Sequence, residues 1–173
     1  LGTSKNYYHD FFFVFNKKFS KSWKSTFMYS NQFYNKNIVQ FGSPNAGYKN
    51  ILSHIIVADV TWKYKSNSAI RFEAQELVRD NKDSLNLGSW TVGMIEWTPS
   101  SHIFVAALDQ YNYGNPDKNL RLHYFLVTAG YTSGPHRISM SYGKQRAGIF
   151  CVGGVCRNVP ASNGVAISIT SSF

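Results

Sequence analysis

The last ten residues, 164–173, run Gly-Val-Ala-Ile-Ser-Ile-Thr-Ser-Ser-Phe and alternate with a period of two. Val165, Ile167, Ile169, Ser171 and Phe173 share one register, and Ala166, Ser168, Thr170 and Ser172 share the other. An extended strand points successive side chains to opposite faces, so this stretch reads as a strand with one apolar face and one small polar face. A helix would mix the two sets around its circumference.

Eight more stretches alternate in the same way, at about 7–17, 23–34, 51–64, 69–77, 90–97, 103–111, 120–131 and 137–145. In the first, Phe11, Phe13 and Phe15 oppose Asp10 and Asn16. In the third, Ala58, Val60, Trp62 and Tyr64 oppose Asp59, Thr61 and Lys63, and in the fourth Ile70, Phe72 and Ala74 oppose Arg71, Glu73 and Gln75. The fifth is ambiguous, because Glu96 shares a register with Val92 and Met94. The sixth sets Phe104, Ala106 and Leu108 against Ala107 and Asp109. No segment sustains a helical period, so the expectation is an all-β fold.

The links between these stretches sort by length. Residues 18–22, 65–68, 99–101 and 132–136 are short, and they alternate with longer links at 35–50, 78–89, 112–119 and 146–163. Short turns at one end and long loops at the other are the habit of transmembrane β-barrels. A soluble meander has no reason to follow it. Composition agrees: aromatic residues are 16% of the chain and charged residues also only 16%, against a usual quarter for charge. No run approaches the ~18 apolar residues a membrane helix needs. The expectation is therefore an antiparallel up-and-down transmembrane barrel of about nine strands, with Phe11, Phe13, Phe27, Val60, Trp62, Phe72, Phe104, Val127, Ile167 and Ile169 toward lipid. Tyr29, Phe33, Tyr34, Trp62, Tyr64, Trp90, Trp97, Tyr111, Tyr113, Tyr131 and Tyr142 fall mostly toward stretch ends and are candidates for two aromatic girdles.

The net charge of +9 invites a nucleic-acid reading, but no nucleic-acid motif is present. Lys17, Lys18, Lys21, Lys65 and Arg137 instead lie on or beside the short links, where lipid phosphates are the expected counterpart.

Residues 148–157, Gly-Ile-Phe-Cys-Val-Gly-Gly-Val-Cys-Arg, are nearly symmetric about Gly153-Gly154. Two glycines suit a primed turn, which places Val152 opposite Val155 and Cys151 opposite Cys156. A disulfide in the last long loop is the favoured reading; a metal site, for which two thiols are too few ligands, and two free thiols are the alternatives. Asp59, Lys63, Arg71 and Glu73 fall within cross-strand reach on the inward face, as an ionic network stiffening the wall or as a selectivity site. His9, His54, His102, His123 and His136 are scattered. His123 with Asp117, or His54 with Ser53, are the pairs that a hydrolase would need, and neither makes a convincing constellation. No cofactor or metal pattern is present.

Residues 142–150, Tyr-Gly-Lys-Gln-Arg-Ala-Gly-Ile-Phe, then the Cys-Val-Gly-Gly-Val-Cys-Arg hairpin and 159–164, Val-Pro-Ala-Ser-Asn-Gly, resemble the C-terminal signature of an uncharacterised outer-membrane barrel family of Bacteroidota. Residues 61–65 and 110–115 are similar to the same family. In outer-membrane barrels generally the terminal aromatic, here Phe173, serves as an assembly signal. The resemblance implies surrounding outer-membrane lipid and lipopolysaccharide, barrel-assembly machinery reading the last strand, and other outer-membrane subunits as partners. It implies no catalytic residue. Nine crossings put the two chain ends on opposite sides, and family members are longer, so residues 1–173 are expected to be the C-terminal portion of one larger barrel domain. Functionally this points to a structural or accessory subunit of a surface or transport complex, with a porin-like channel as alternative and a membrane-embedded hydrolase as the weaker third.

Overall fold

Alternation becomes one antiparallel sheet of nine strands in the computed structural model, which describes residues 7–43, 50–79 and 88–172. The strands are β1 (Tyr8–Lys18), β2 (Trp23–Asn35), β3 (Asn50–Lys65), β4 (Ser68–Arg79), β5 (Trp90–Thr98), β6 (Ile103–Tyr111), β7 (His123–Ser133), β8 (His136–Gln145) and, last in the sheet, β11 (Ser162–Thr170). Neighbours in the chain are neighbours in the sheet up to β8, and β11 then pairs with β8. Between them, β9 (Gly148–Val152) and β10 (Val155–Val159) form a separate two-stranded hairpin. Among the described residues β1 and β11 are the two edges of the sheet. Phe173 lies outside the described residues.

Register carries the two faces across the whole sheet. One row runs Ser25–Val60–Phe72–Ile95–Ala107–Val127–Tyr142–Val165, and it faces outward. The adjacent row runs Lys18–Lys24–Thr61–Arg71–Glu96–Ala106–Thr128–Ser141–Ala166 and faces inward, toward the hairpin. The outward face is apolar and exposed, with Phe72, Ile95, Phe125, Met140, Val165, Ile167 and Ile169 all uncovered.

A six-residue helix, α1 (Lys36–Phe41), follows β2. Asn35 caps it, its side chain accepting from the Ile38 amide, and Gly42 ends it at φ 61° in the left-handed region. Six residues are under two turns, too few to leave a helical period in the sequence.

The core lies on the inward face under the hairpin. Met94, Phe104, Ala106, Leu108 and Leu126 of the sheet meet Phe150 and Val152 of β9. This corrects the expected placement of Phe104, which points inward and is 3% exposed, while Asp109 of the same strand takes the outward row. Both registers of β6 are apolar over most of its length, so the period alone does not say which is out. Trp90 and Tyr34 are likewise inward and buried rather than in a girdle.

Candidate functional site: the inward face and its hairpin

Gly153 and Gly154 take φ of 59° and 75°, the two positive values a type I′ turn requires. The register is the one the near-palindrome dictates, with Val152 opposite Val155 and Cys151 opposite Cys156. At 4.0 Å between Cα atoms the two cysteines are disulfide-bonded. They are five positions apart in the chain, so the closed loop is small, and by loop entropy the bond contributes at most about 2 kcal/mol. Thiol titration of denatured, unreduced protein is expected to find no free cysteine.

The hairpin's direction is what sequence reasoning missed. Instead of extending beyond the strand ends as a loop tip, it folds back along the inward face toward the end carrying the short links. Phe150 and Val152, alternate residues of one strand, are the signal that was present: two large apolar side chains on one face must be covered by something. The tip is held at three points. Arg137 donates from Nη1 to the Gly153 carbonyl and from Nη2 to the Val152 carbonyl, both at 2.8 Å. Its guanidinium lies 4.2 Å over the Phe104 ring. The Gly153 amide donates to Glu96 Oε2 at 2.6 Å. Glu96 is buried and stands directly across from Arg71, so the hairpin supplies a donor to a carboxylate that burial would otherwise penalise. Arg137 thus faces the hairpin and not lipid phosphates.

Beneath Phe104, Gly130 leaves no room for a side chain; a Cβ there would come within 2.3 Å of the ring. At the other end of the hairpin Arg146 stacks 3.7 Å over Trp90, and burial holds its guanidinium below its ordinary pKa. Between hairpin and sheet remains a cavity of about 590 Å³, bordered by Arg71, Glu73, Gln75, Trp90 and both cysteines.

Of the four expected network residues the structure brings three together. Arg71 donates to Asp59 through Nε and to Glu73 through Nη2, and Asp59 and Glu73 are a direct cross-strand pair. Gln75 donates to the other oxygen of Glu73. Two carboxylates on one guanidinium make a tied cluster on the inward face of the sheet. Lys63 shares the face but is exposed, with no ion pair among the described residues.

The two hydrolase pairings do not form. His123 Nδ1 meets Asp109 Oδ2 at 2.7 Å rather than Asp117, which instead caps the short turn at Lys118–Leu120. His54 Nδ1 faces the Tyr29 hydroxyl at 2.9 Å and the Asn31 amide at 3.2 Å, whereas Ser53 points to the opposite face and accepts from Arg79. No cluster of three or more metal-ligating side chains exists among the described residues.

The outward face ends in aromatic rows at both levels. Near the short links Trp23 stacks on Trp62, Trp62 leans on Tyr64, and Trp97 Nε1 donates to the Tyr64 hydroxyl. His102 stacks on Tyr131 at the same level. Near the long links His9 stacks on Phe33, Tyr29 on His54, and Tyr111 on His123.

A model of a family of unknown function, DUF6029, matches residues 1–173. The chain belongs to the DUF6029 family. No curated protein and no solved structure matches it. DUF6029 membership brings no activity, ligand or partner with it, so function has to be argued from the two faces of the sheet.

Proposed function

We propose that this DUF6029 chain forms the wall of an outer-membrane β-barrel whose interior is filled by its own disulfide hairpin, and that it acts as a structural or accessory subunit of a surface or transport complex. The observation that carries the reading is the largely apolar band between two aromatic rows, interrupted toward the long links by Asp109, which pairs with His123, and by Glu76, which accepts from Tyr113. On β3 the rows are marked by Trp62 and His54 and on β7 by Tyr131 and His123, eight residues apart in both. Eight residues are about 26 Å along a strand and about 20 Å at the usual barrel tilt, close to the ~25 Å apolar belt of outer-membrane barrels. Every outward position of β7 between those rows, Phe125, Val127 and Ala129, is apolar and exposed. Backbone groups inside a bilayer must all be paired, so the edges of β1 and β11 close in the membrane against further strands or each other.

The accessory role over an open pore rests on the hairpin, which covers the inward face of β5 to β8. No enzymatic role is proposed, since the two candidate histidines are engaged by Asp109, Tyr29 and Asn31. The free edge and exposed Val165, Ile167 and Ile169 of β11 suit recognition by barrel-assembly machinery, with the C-terminus periplasmic and outer-membrane lipid and lipopolysaccharide around the wall. A gated, porin-like channel is the second reading, favoured by the cavity beside the hairpin. Planar-bilayer recording separates the two. Wild-type protein is expected to insert without steady conductance, and Glu96→Gln with Arg137→Gln to produce flickering openings. Steady ohmic conductance from the wild type would decide for the channel, and a cooperatively folded form free of detergent would remove the membrane reading altogether.

A further inference from the structure

Where β1, β2 and β3 meet at the short-link end, the inward face opens into a cleft of about 460 Å³. Five lysines border it, Lys18, Lys24 and Lys63 on the inward face, Lys21 in the turn and Lys17 opposite Ser25 at its edge, and its lining contains no acidic residue. Lys18 and Lys24 are a direct cross-strand pair, an arrangement in which like charges repel and weaken the sheet. Nothing among the described residues offsets this: none of the five lysines makes a salt bridge or side-chain hydrogen bond there. The nearest carboxylate in register is Asp59, opposite Thr26, and Arg71 has already taken it.

Uncharged donors complete the lining. Thr26 Oγ1 donates to Asn16 Oδ1 at 2.7 Å, which uses the acceptor of that amide and leaves its NH₂ free to donate into the cleft. The Thr61 hydroxyl sits between Lys24 and Arg71 in the same inward row.

From this geometry we infer that the cleft binds a phosphate-bearing ligand carrying at least two negative charges. Lysine ammonium groups act as point charges suited to phosphate, whereas a single carboxylate would leave most of the five uncompensated. The volume is that of a small-molecule site. Because Lys18, Lys24 and Lys63 stand on the inward face while Lys17 lies at its edge, the phosphate comes either from a soluble phosphorylated molecule entering the barrel mouth or from a lipid headgroup reaching round its rim. Only the choice of source rests on the membrane reading; the site itself stands on the cleft.

Calorimetric titration of the full chain with inorganic pyrophosphate, in neutral detergent or in buffer if the chain dissolves there, tests the site. Saturable binding is expected below about 1 mM and should weaken as salt screens the charges. Lys24→Gln and Lys63→Gln should each lose about tenfold in affinity, with no loss of thermal stability in the absence of ligand. Lys118→Gln, at the opposite end of the sheet, removes the same charge and should leave affinity unchanged. Competition by phosphatidylglycerol vesicles but not phosphatidylcholine vesicles assigns the phosphate to lipid, and absence of competition assigns it to a soluble molecule. No saturable heat, or an equal loss in Lys118→Gln, overturns the site whatever the outcome of the bilayer recordings.

Discussion

Phe104→Ala is expected to lower unfolding stability by about 3–5 kcal/mol, the range for emptying a large aromatic out of a packed core. Phe104 is 3% exposed and belongs to the cluster joining the sheet to the hairpin. Its ring touches three things at once: the bare backbone of Gly130, the turn at Gly153, and the guanidinium of Arg137. Removing it leaves a void under the turn and takes away the surface on which Arg137 lies. Ile103→Ala, one residue earlier on the outward face, should cost far less, because Ile103 is already exposed. Urea unfolding of both variants in the same lipid or detergent measures the contrast. Limited proteolysis should show faster cleavage within residues 148–159 only for Phe104→Ala. Equal small losses would put Phe104 on the outer wall and the hairpin off the sheet.

The inversion of β6 shows where the sequence runs out. On β7 and β8 one register holds Leu126, Thr128, Ser139 and Ser141 and the other holds Phe125, Val127, Ile138, Met140 and Tyr142, so polarity largely sorts the faces. The β6 registers are Phe104-Ala106-Leu108-Gln110 and Ile103-Val105-Ala107-Asp109, apolar on both sides until Asp109 and Gln110. An inward face is expected to be polar because a lumen is wet. Here the hairpin covers Phe104, Ala106 and Leu108 instead, and Asp109 lies on the other face toward the end of its strand beside His123. The residue that decides the case, Phe150, is over forty positions away in the chain, beyond any local window.

The hairpin itself was half legible. Its turn, register and disulfide follow from local chemistry, the demand of two adjacent glycines for positive φ and the pairing that this imposes. Its docking depends on Glu96 and Arg137, each of which carries an innocent local reading. Glu96 blurs the alternation of β5, and Arg137 sits beside a turn where basic residues are ordinarily solvated. Asp59, Arg71 and Glu73 were easier, because a two-residue link fixes the β3–β4 register and the charges then meet across it. Lys63 stands apart because it lies opposite Ala69, beyond Arg71 toward the turn, and is exposed.

Val127→Arg is expected to destabilise the folded protein in lipid by about 2–4 kcal/mol, and Ile138→Arg by only about 0–1 kcal/mol. The two positions differ in depth rather than in kind. Val127 lies on the outward face of β7 midway between His123 and Tyr131, four residues from each, whereas Ile138 is the direct cross-strand partner of Tyr131 in the lower aromatic row. A guanidinium at Val127 would have to stretch past two turns of the pleat to reach either headgroup region, while one at Ile138 is already beside it. If the outward face met water, both substitutions would be ordinary surface changes within about 0.5 kcal/mol of wild type. If it packed against a protein partner, both would be costly, with no dependence on height. Equilibrium urea unfolding from lipid vesicles resolves differences of this size. The depth dependence is the part that only a bilayer produces, because the cost of a charge rises with distance from the interface and the protein's own neighbours at the two sites, Ala107 and Tyr142 for one and Tyr131 and Ile169 for the other, are all uncharged.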